Sequence, residues 1–130
     1  MGDDQNFLNP DIEQTSPAQE ADKKEKDEFS EISELSKKGY QLIKENKLAE
    51  AVAAFEEILA KDPDNNYALV GLGDTARKRG SFREAVEYYR RCLSHHPGNN
   101  YALFGLADCY KALNQYQKAI EIWEQYLLHD

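Results

Sequence analysis

The sequence predicts an all-α protein, an α-solenoid in which a pair of helices occurs three times. The first observation is a period of 34 residues, since the segment 63–74 (PDNNYALVGLGD) recurs as 97–108 (PGNNYALFGLAD). Self-similarity at a fixed period of this length indicates stacked structural units. The second observation is that each unit has two stripes of apolar residues at helical spacing, separated by a short break. We therefore expect three units, at 32–65, 66–99 and 100–130.

The residues before the first unit differ in composition. Residues 1–31 hold ten acidic and three basic residues, whereas residues 32–130 hold fourteen and thirteen. We expect residues 1–21 to be an acidic, disordered tail, because so few apolar groups cannot offset the entropy lost on ordering. Residues 22–31 form a charged lead-in that is compatible with a helix. The first helix is expected to begin at Asp22, which fits a capping box with Glu25, or at Ser30.

Charge and hydropathy disfavour several classes of function. The net charge of -8 arises in the tail, and the nearly neutral repeats give no electrostatic reason to bind nucleic acid or an anionic membrane. No stretch is long and apolar enough to span a bilayer, and the N-terminus lacks the features of a signal peptide. We expect a cytoplasmic protein with neither nucleic acid nor membrane as a partner.

Asn46, Gly80 and Asn114 mark the turn between the two helices of each unit. They are equivalent by register, and glycine and asparagine are the residues that best tolerate the left-handed backbone conformation at the end of a helix. We therefore predict a positive φ at all three positions.

The connections between units carry a second set of signals. Pro63 and Pro97 follow the second helix of a unit and are expected to terminate it. Asn65 and Asn99 come two residues later and are suited to cap the next helix. The three units are thus expected to contain six helices joined by short turns.

Aromatic and small residues recur in the expected core. Phe55, Tyr89 and Trp123 stand 34 residues apart and are expected to fill the space beside closely approaching helices. Cys92 and Cys109 fall on apolar faces, where we expect buried, reduced thiols; a disulfide between them is the alternative. The small residues that permit the approach are Gly39, Gly73 and Ala107 on the first helices and Ala51, Ala85 and Ala119 on the second helices.

Over residues 32–130 these features resemble the tetratricopeptide repeat (TPR) family. The family pattern is Trp-x2-Leu-Gly-x2-Tyr followed by Ala, Phe and Pro. The second unit carries it as Leu69, Leu72, Gly73, Ala76, Ala85, Tyr89 and Pro97, and the third as Leu103, Leu106, Ala107, Tyr110, Ala119 and Trp123. The first unit departs at Lys38, where the pattern has an apolar residue. The resemblance implies a right-handed superhelix of three helix-turn-helix units that acts as a non-catalytic protein-interaction module.

The resemblance also implies where a partner peptide or helix binds. TPR proteins bind such segments in a concave groove lined by the first helix of each repeat, and Tyr67, Tyr101 and Phe104 are expected to be its main anchors. Gly71 and Gly105 are expected to let the partner approach the helix surface, with easier helix packing as the alternative. Carried over by register, the groove residues are Tyr40, Tyr67, Val70, Asp74, Arg77, Lys78, Tyr101, Phe104, Asp108 and Lys111.

One known TPR partner is not expected. Chaperone-binding members hold a C-terminal carboxylate with lysine, asparagine and arginine side chains, and none of the five corresponding positions matches. Those positions hold Ser36, Tyr40, Gly71, Tyr101 and Gly105. RNA binding by a related helical repeat is disfavoured by the neutral repeats and by the lack of base-reading side chains.

Nothing in the sequence indicates catalysis. Asp74 and Asp108 lie on helices expected to be about 8–10 Å or more apart, which exceeds the roughly 5 Å of a retaining carboxylate pair. Polar contacts to a bound peptide are the better role for them. No catalytic triad, phosphate-binding glycine loop or set of metal ligands is present, so we expect no enzyme, no cofactor and no metal.

The two ends of the repeat region differ. The first unit presents polar residues where a preceding repeat would pack, namely Glu34, Lys38, Gln41 and Glu45. The last helix keeps an apolar face that includes Trp123, Tyr126 and Leu127. The alternative function is therefore structural: a segment of a longer repeat protein that stacks, or that self-associates, through this face.

Overall fold

The computed structural model describes residues 16–129 and confirms the all-α class. The described residues form six helices and no strand. The chain divides into two compact parts, with the boundary between Glu31 and Ile32. The helices are α1 (Pro17–Lys44), α2 (Leu48–Lys61), α3 (Asn66–Lys78), α4 (Phe82–His95), α5 (Asn100–Ala112) and α6 (Tyr116–Leu128).

Helix α1 begins earlier than either start expected from the sequence. Ser16 and Gln19 form a reciprocal capping box: Gln19 N donates to Ser16 Oγ at 3.3 Å, and Ser16 N donates to Gln19 Oε1 at 2.9 Å. Pro17 occupies the first helical position, where its missing N–H costs nothing. Residues 17–21 are therefore helical, and their assignment to a disordered tail was wrong. The expectation for residues 1–15 lies outside the described part of the chain.

The turns within the units confirm the predicted backbone conformation. The φ angles are 60° at Asn46, 82° at Gly80 and 60° at Asn114. At Gly80 the following amide, Ser81 N, donates to Ala76 O at 2.9 Å, which is the long hydrogen bond of a Schellman motif. Each helix pair thus ends its first helix in the same way.

The predicted caps between units are also confirmed. Asn65 Oδ1 accepts a hydrogen bond from Ala68 N, and Asn99 Oδ1 accepts one from Ala102 N, both at 3.0 Å. Each bond satisfies one of the free amides at a helix start. Because the same turn chemistry is used twice, α3 and α5 begin at the same register.

Phe55 is fully buried, and two glycines make room for its ring. A Cβ atom on Gly39 would lie 2.6 Å from the ring, and a Cβ atom on Gly71 would overlap it. Gly39 belongs to the first helix of the first unit and Gly71 to the first helix of the second. The ring therefore occupies space that a side chain at position 39 or 71 would fill.

Tyr89 repeats this arrangement one unit further on. Its ring is fully buried, a Cβ on Gly73 would lie 2.6 Å from it, and a Cβ on Gly105 would overlap it. The expectation that Gly71 and Gly105 accommodate a bound partner was wrong. What approaches these two glycines is an aromatic ring of the protein's own core.

The remaining core predictions are resolved by burial. Cys92 and Cys109 are buried free thiols, as expected, and burial raises the pKa of each to about 11.

Trp123 is only partly buried and packs edge-on against Phe104, with ring centroids 5.3 Å apart. Leu127 on α6 is 69% exposed. The third aromatic of the series is therefore less enclosed than Phe55 and Tyr89.

Candidate functional site

The first helices of the second and third units lie on the inner side of the repeat region. Helices α3 and α5 contact one another, whereas α4 and α6 do not. The second and third units are therefore closer together along α3 and α5 than along α4 and α6, which makes α3 and α5 the inner side of this pair. The C-terminal part of α1, together with α3 and α5, carries the candidate groove.

Three aromatic side chains on these helices are exposed. The exposed fraction is 57% for Tyr67, 79% for Tyr101 and 44% for Phe104. Phe104 also packs against Trp123 and lies 6.4 Å from the ring of Tyr126, measured between centroids. The two tyrosines contribute little buried area, while Phe104 is held in place by α6.

Two expected groove residues join the first unit to the second. The Tyr40 hydroxyl donates to Tyr67 O at 2.9 Å, and the Tyr40 ring packs edge-on against Phe55 at 5.1 Å. Burial raises the pKa of Tyr40 well above its ordinary range, so this donor stays protonated. Lys78 Nζ donates to Ile43 O at 2.9 Å, in the last turn of α1. These polar atoms are already engaged in holding the units together.

Val70 does not line the surface, and its assignment to the groove was wrong. It is 4% exposed and belongs to the same core cluster as Tyr89 and Leu106. Its register equivalent in the third unit is Phe104. The longer aromatic side chain remains partly exposed, whereas the short β-branched one is enclosed.

A hydrogen-bonded network crosses from α3 to α5. Arg77 Nε donates to the Tyr89 hydroxyl at 3.0 Å, and that hydroxyl donates to Asp74 Oδ1 at 2.5 Å. Arg77 Nη1 reaches Asp108 Oδ2 at 3.0 Å, and Arg77 Nη2 reaches Asp74 Oδ1 at 3.4 Å. One guanidinium group thus links the two carboxylates that the sequence placed in the groove.

The part that Tyr89 plays in this network was missed at the sequence level. Its ring was assigned to the core, which is correct, but its hydroxyl extends into the polar network of Asp74, Arg77 and Asp108. We call this network the polar floor of the groove. The signal was present, since the equivalent residue in the first unit is Phe55 and a buried tyrosine hydroxyl normally requires a partner. The tyrosine at this position indicates a polar neighbour.

The protonation states of the network follow from its burial. Burial raises the pKa of Asp74, while hydrogen bonds from Tyr89 and Arg77 oppose part of that rise. The pKa of Tyr89 is raised by burial and by the Asp74 charge, so its hydroxyl remains a donor. For Arg77, burial alone would lower the pKa, but the interactions with Tyr89, Asp108 and Asp74 outweigh it. The guanidinium therefore stays charged.

A pocket of about 510 Å³ adjoins this network. Arg77 lies over the ring of Phe104, with its guanidinium carbon 5.9 Å from the centroid. Lys111 is exposed and does not line the pocket. Two lining residues, Asn100 and Tyr126, were not among the expected groove residues. The full lining consists of Asp74, Arg77, Asn100, Tyr101, Phe104 and Tyr126.

Over residues 16–129, no group of three or more His, Cys, Asp or Glu side chains is arranged to hold a metal ion. None of the helices described there has the length and apolar character needed to cross a bilayer.

The repeated helix pairs and shared inter-unit core define this region as an α-helical solenoid. Residues 37–130 belong to the tetratricopeptide repeat family. Two overlapping profiles, each described as Tetratricopeptide repeat, match residues 37–91 and 76–130. A comparison with curated protein sequences finds no match.

Solved structures with the same fold include several TPR domains. The TPR2B domain of yeast Sti1, in a pHsp70 complex, is 20% identical with a TM-score of 0.73, over 78% of this chain and 81% of that chain. The second TPR of Spaghetti (RPAP3), bound to the HSP90 peptide SRMEEVD, is 16% identical with a TM-score of 0.73, over 81% and 99%. The TPR domain of Arabidopsis FLU is 26% identical with a TM-score of 0.67, over 78% and 95%. Because the first two structures are only 20% and 16% identical to this chain, the similarity to them is a similarity of fold.

Proposed function

We propose that this protein is a non-catalytic interaction module that binds a segment of a partner protein along α1, α3 and α5. The observation that carries the proposal is the pair Tyr67 and Tyr101, which occupy the same register on adjacent helices and are 57% and 79% exposed. The core is closed without them by residues such as Leu69 and Leu103, which are fully buried. Exposed tyrosines of this kind favour a protein interface, because the ring loses water while the hydroxyl keeps a polar contact.

The hydrogen-bonded network below the tyrosines supports the same proposal. Arg77 is fixed by Tyr89, Asp74 and Asp108 before any partner arrives. Side chains that are already ordered lose little conformational entropy on binding. A preorganised floor beside exposed aromatic rings is a suitable surface for recognising an extended or helical segment.

Of the structurally similar TPR domains, one is bound to an HSP90 peptide and one is in a pHsp70 complex, which supports a protein segment as the class of partner. We do not extend the chaperone C-terminus itself to this protein. At Gly71 and Gly105, two of the positions used for carboxylate binding in such domains, even a Cβ atom would overlap Phe55 or Tyr89. Longer polar side chains have no space there, so the proposed partner segment is of a different type.

The proposal is tested by selecting peptides from a random phage-displayed library on the intact chain. The selected peptides are then measured against the double variant Tyr67→Ala/Tyr101→Ala by isothermal titration calorimetry. We expect affinity to fall by at least about 30-fold, the equivalent of a 2 kcal/mol hot spot. Tyr116→Ala is the matched control, because Tyr116 is a comparably exposed tyrosine (58%) on α6.

The two variants separate the outcomes. Helical content and the urea midpoint of the double variant should remain close to those of the wild type, because neither ring is core. If the double variant folds and binds the selected peptides normally, the groove is not the binding surface. If it unfolds, the tyrosines are structural and the proposal fails for that reason.

Self-association through α6 is the second candidate function. It is favoured by the exposed apolar side chains Ile120, Leu127 and Leu128, which are 49%, 69% and 83% exposed. Trp123 and Tyr126 lie on the same helix but also pack against Phe104. Sedimentation velocity of the wild type and of Leu127→Glu tests this candidate. A concentration-dependent dimer that Leu127→Glu abolishes would support it, and a strictly monomeric wild type would rule it out.

A further inference from the structure

A second pocket lies on the outer side of the second and third units. Helices α4 and α6 do not contact one another, whereas α5 contacts both, so α5 forms the base of a furrow between them. The furrow holds a pocket of about 530 Å³, which we call the outer pocket. Tyr110 of α5, which is 7% exposed, lines it together with the apolar side chains of Val86 and Leu113. None of these residues belongs to the candidate groove.

The outer pocket is lined mainly by positive charges. Arg83 and Arg90 lie about two helical turns apart on the same face of α4, and Lys118 lies on α6. Among the described residues, Glu87 is the only carboxylate in the lining. Three cations against one carboxylate give the lining a net charge of +2. The pocket is therefore suited to an anionic group.

The three cations are not neutralised by the protein itself. Within residues 16–129, none of Arg83, Arg90 and Lys118 forms an ion pair with a carboxylate. Lys118 instead lies over the ring of Tyr110, with Nζ 5.6 Å from the ring centroid. Arg77 of the groove, by contrast, is held by two carboxylates. Positive charges that have no internal partner and lie beside apolar walls attract an anionic ligand.

We propose that the outer pocket binds an acidic segment of a partner protein. An aspartate or glutamate side chain of the segment lies between Arg90 and Lys118, and a neighbouring apolar side chain packs against Val86 and Leu113. The furrow accepts more than one residue, because Arg90 and Lys118 also line an adjoining pocket of about 460 Å³. This surface is separate from the proposed groove and does not depend on it.

The carboxylates of the furrow favour a protein segment over a nucleic acid. Glu87 lines the outer pocket and Glu121 lines the adjoining one, so positive charge is not continuous along the furrow. Nucleic acid binding depends on neutralising a closely spaced series of phosphates. A protein segment can instead place a carboxylate at the cations and an uncharged residue beside each glutamate.

The test uses the intact chain and a short fluorescein-labelled peptide in which each leucine is flanked by glutamates. Binding is measured by fluorescence anisotropy at several salt concentrations. We expect saturable binding that weakens as the salt concentration rises, because the charges of the pocket are exposed to solvent. The same peptide with glutamine in place of glutamate should bind at least about tenfold more weakly. A single-stranded DNA oligonucleotide of equal net charge should also bind more weakly than the glutamate peptide.

Variants of the lining test whether binding takes place in the outer pocket. Arg90→Gln and Lys118→Gln each remove one positive charge, and each should weaken binding of the glutamate peptide by about fivefold or more. Glu87→Gln removes the carboxylate of the lining and should strengthen it. Arg79→Gln is the matched control, because Arg79 is an exposed arginine that does not line the pocket. A change in overall charge alone would make Arg79→Gln and Arg90→Gln equivalent, and a purely structural role would not give opposite effects at Arg90 and Glu87.

Each outcome decides the inference. It is wrong if the glutamate peptide does not bind, if the glutamine peptide or the oligonucleotide binds as tightly, or if Arg90→Gln has no more effect than Arg79→Gln. It is also wrong if the wild type leaves the peptide unbound and forms a dimer that Arg90→Gln abolishes, because the occupant would then be a second copy of this chain. The groove variant Tyr67→Ala/Tyr101→Ala should bind the glutamate peptide as tightly as the wild type, so the groove proposal can fail without this one. Loss of binding in that variant would place the peptide in the groove and overturn the inference.

Discussion

The hydroxyl of Tyr89 donates a 2.5 Å hydrogen bond to the carboxylate of Asp74, so a fully buried core ring ends in the polar floor of the candidate groove. The same hydroxyl accepts a hydrogen bond from Arg77. The hydroxyl oxygen of Tyr89 therefore belongs both to a core side chain and to the polar network of the groove. Changes at this atom are expected to affect both stability and the position of Arg77.

Tyr89→Phe tests the energetic role of that atom. The variant keeps the ring but leaves Asp74 and Arg77 each without one partner, so we expect a loss of about 1–3 kcal/mol in the free energy of unfolding. Urea denaturation followed by circular dichroism measures it. Tyr116→Phe is the control, because its hydroxyl bonds to Asn114 at the surface, and it should stay within about 0.5 kcal/mol of the wild type. Equal effects of the two variants would contradict the network.

The raised pKa of Asp74 predicts an unusual pH dependence of stability. Because the folded protein holds this proton more tightly than the unfolded chain, folding is favoured where the carboxyl is protonated. The stability of the wild type relative to Asp74→Asn should therefore rise as the pH falls from neutral through the native pKa. It should level off below the ordinary value of 3.8. Urea unfolding of both proteins across this range gives the difference, and a fall in relative stability on acidification would contradict it.

Gly71→Ala should destabilise the protein although alanine favours helices by about 1 kcal/mol over glycine. The added methyl group overlaps the ring of Phe55, and overpacking of this kind costs about 1–3 kcal/mol. Gly71→Ala in a Phe55→Leu background provides the control, because the smaller side chain relieves the overlap. A double-mutant cycle in urea should then show a favourable coupling, and additive effects would indicate that the ring and the glycine do not interact.

The turn residues should respond according to their φ angles. Gly80→Val places a β-branched residue in the left-handed region, and we expect a loss of about 1–2 kcal/mol. Among the described residues, nothing beyond the adjoining backbone lies within 4 Å of the position that a Cβ atom of residue 80 would take, so the loss comes from the backbone rather than from a clash. Asn114→Gly should change stability by less than about 0.5 kcal/mol, because glycine accepts the same φ. Thermal unfolding of the two variants would contradict this if Asn114→Gly were the more damaging.

The features predicted correctly from the sequence depend on local chemistry. Asn46, Gly80 and Asn114 have the expected positive φ because the requirement lies in the residue itself. Asn65 and Asn99 cap helices because the backbone amides that donate to them are only three residues away in the chain. Such features are determined by the local sequence and do not depend on tertiary packing.

The features that were missed depend on neighbours far away in the sequence. Val70 and Phe104 share a register but differ in burial, which the spacing alone does not reveal. Asn100 and Tyr126 line the same pocket because α6 packs beside α5. The early start of α1 is an exception, because it follows from the local capping box of Ser16 and Gln19, which begins the helix despite the acidic composition of this segment.

The enclosure of Phe55 between Gly39 and Gly71 means that the cooperative unit of this protein is offset from its sequence repeat. The ring belongs as much to the second repeat as to the first, and Tyr89 likewise joins the second to the third. A fragment cut at a repeat boundary would keep the ring but lose one of its two walls. Dissection or recombination of these repeats should therefore follow the ring and its two glycines, with breakpoints inside a repeat rather than between repeats.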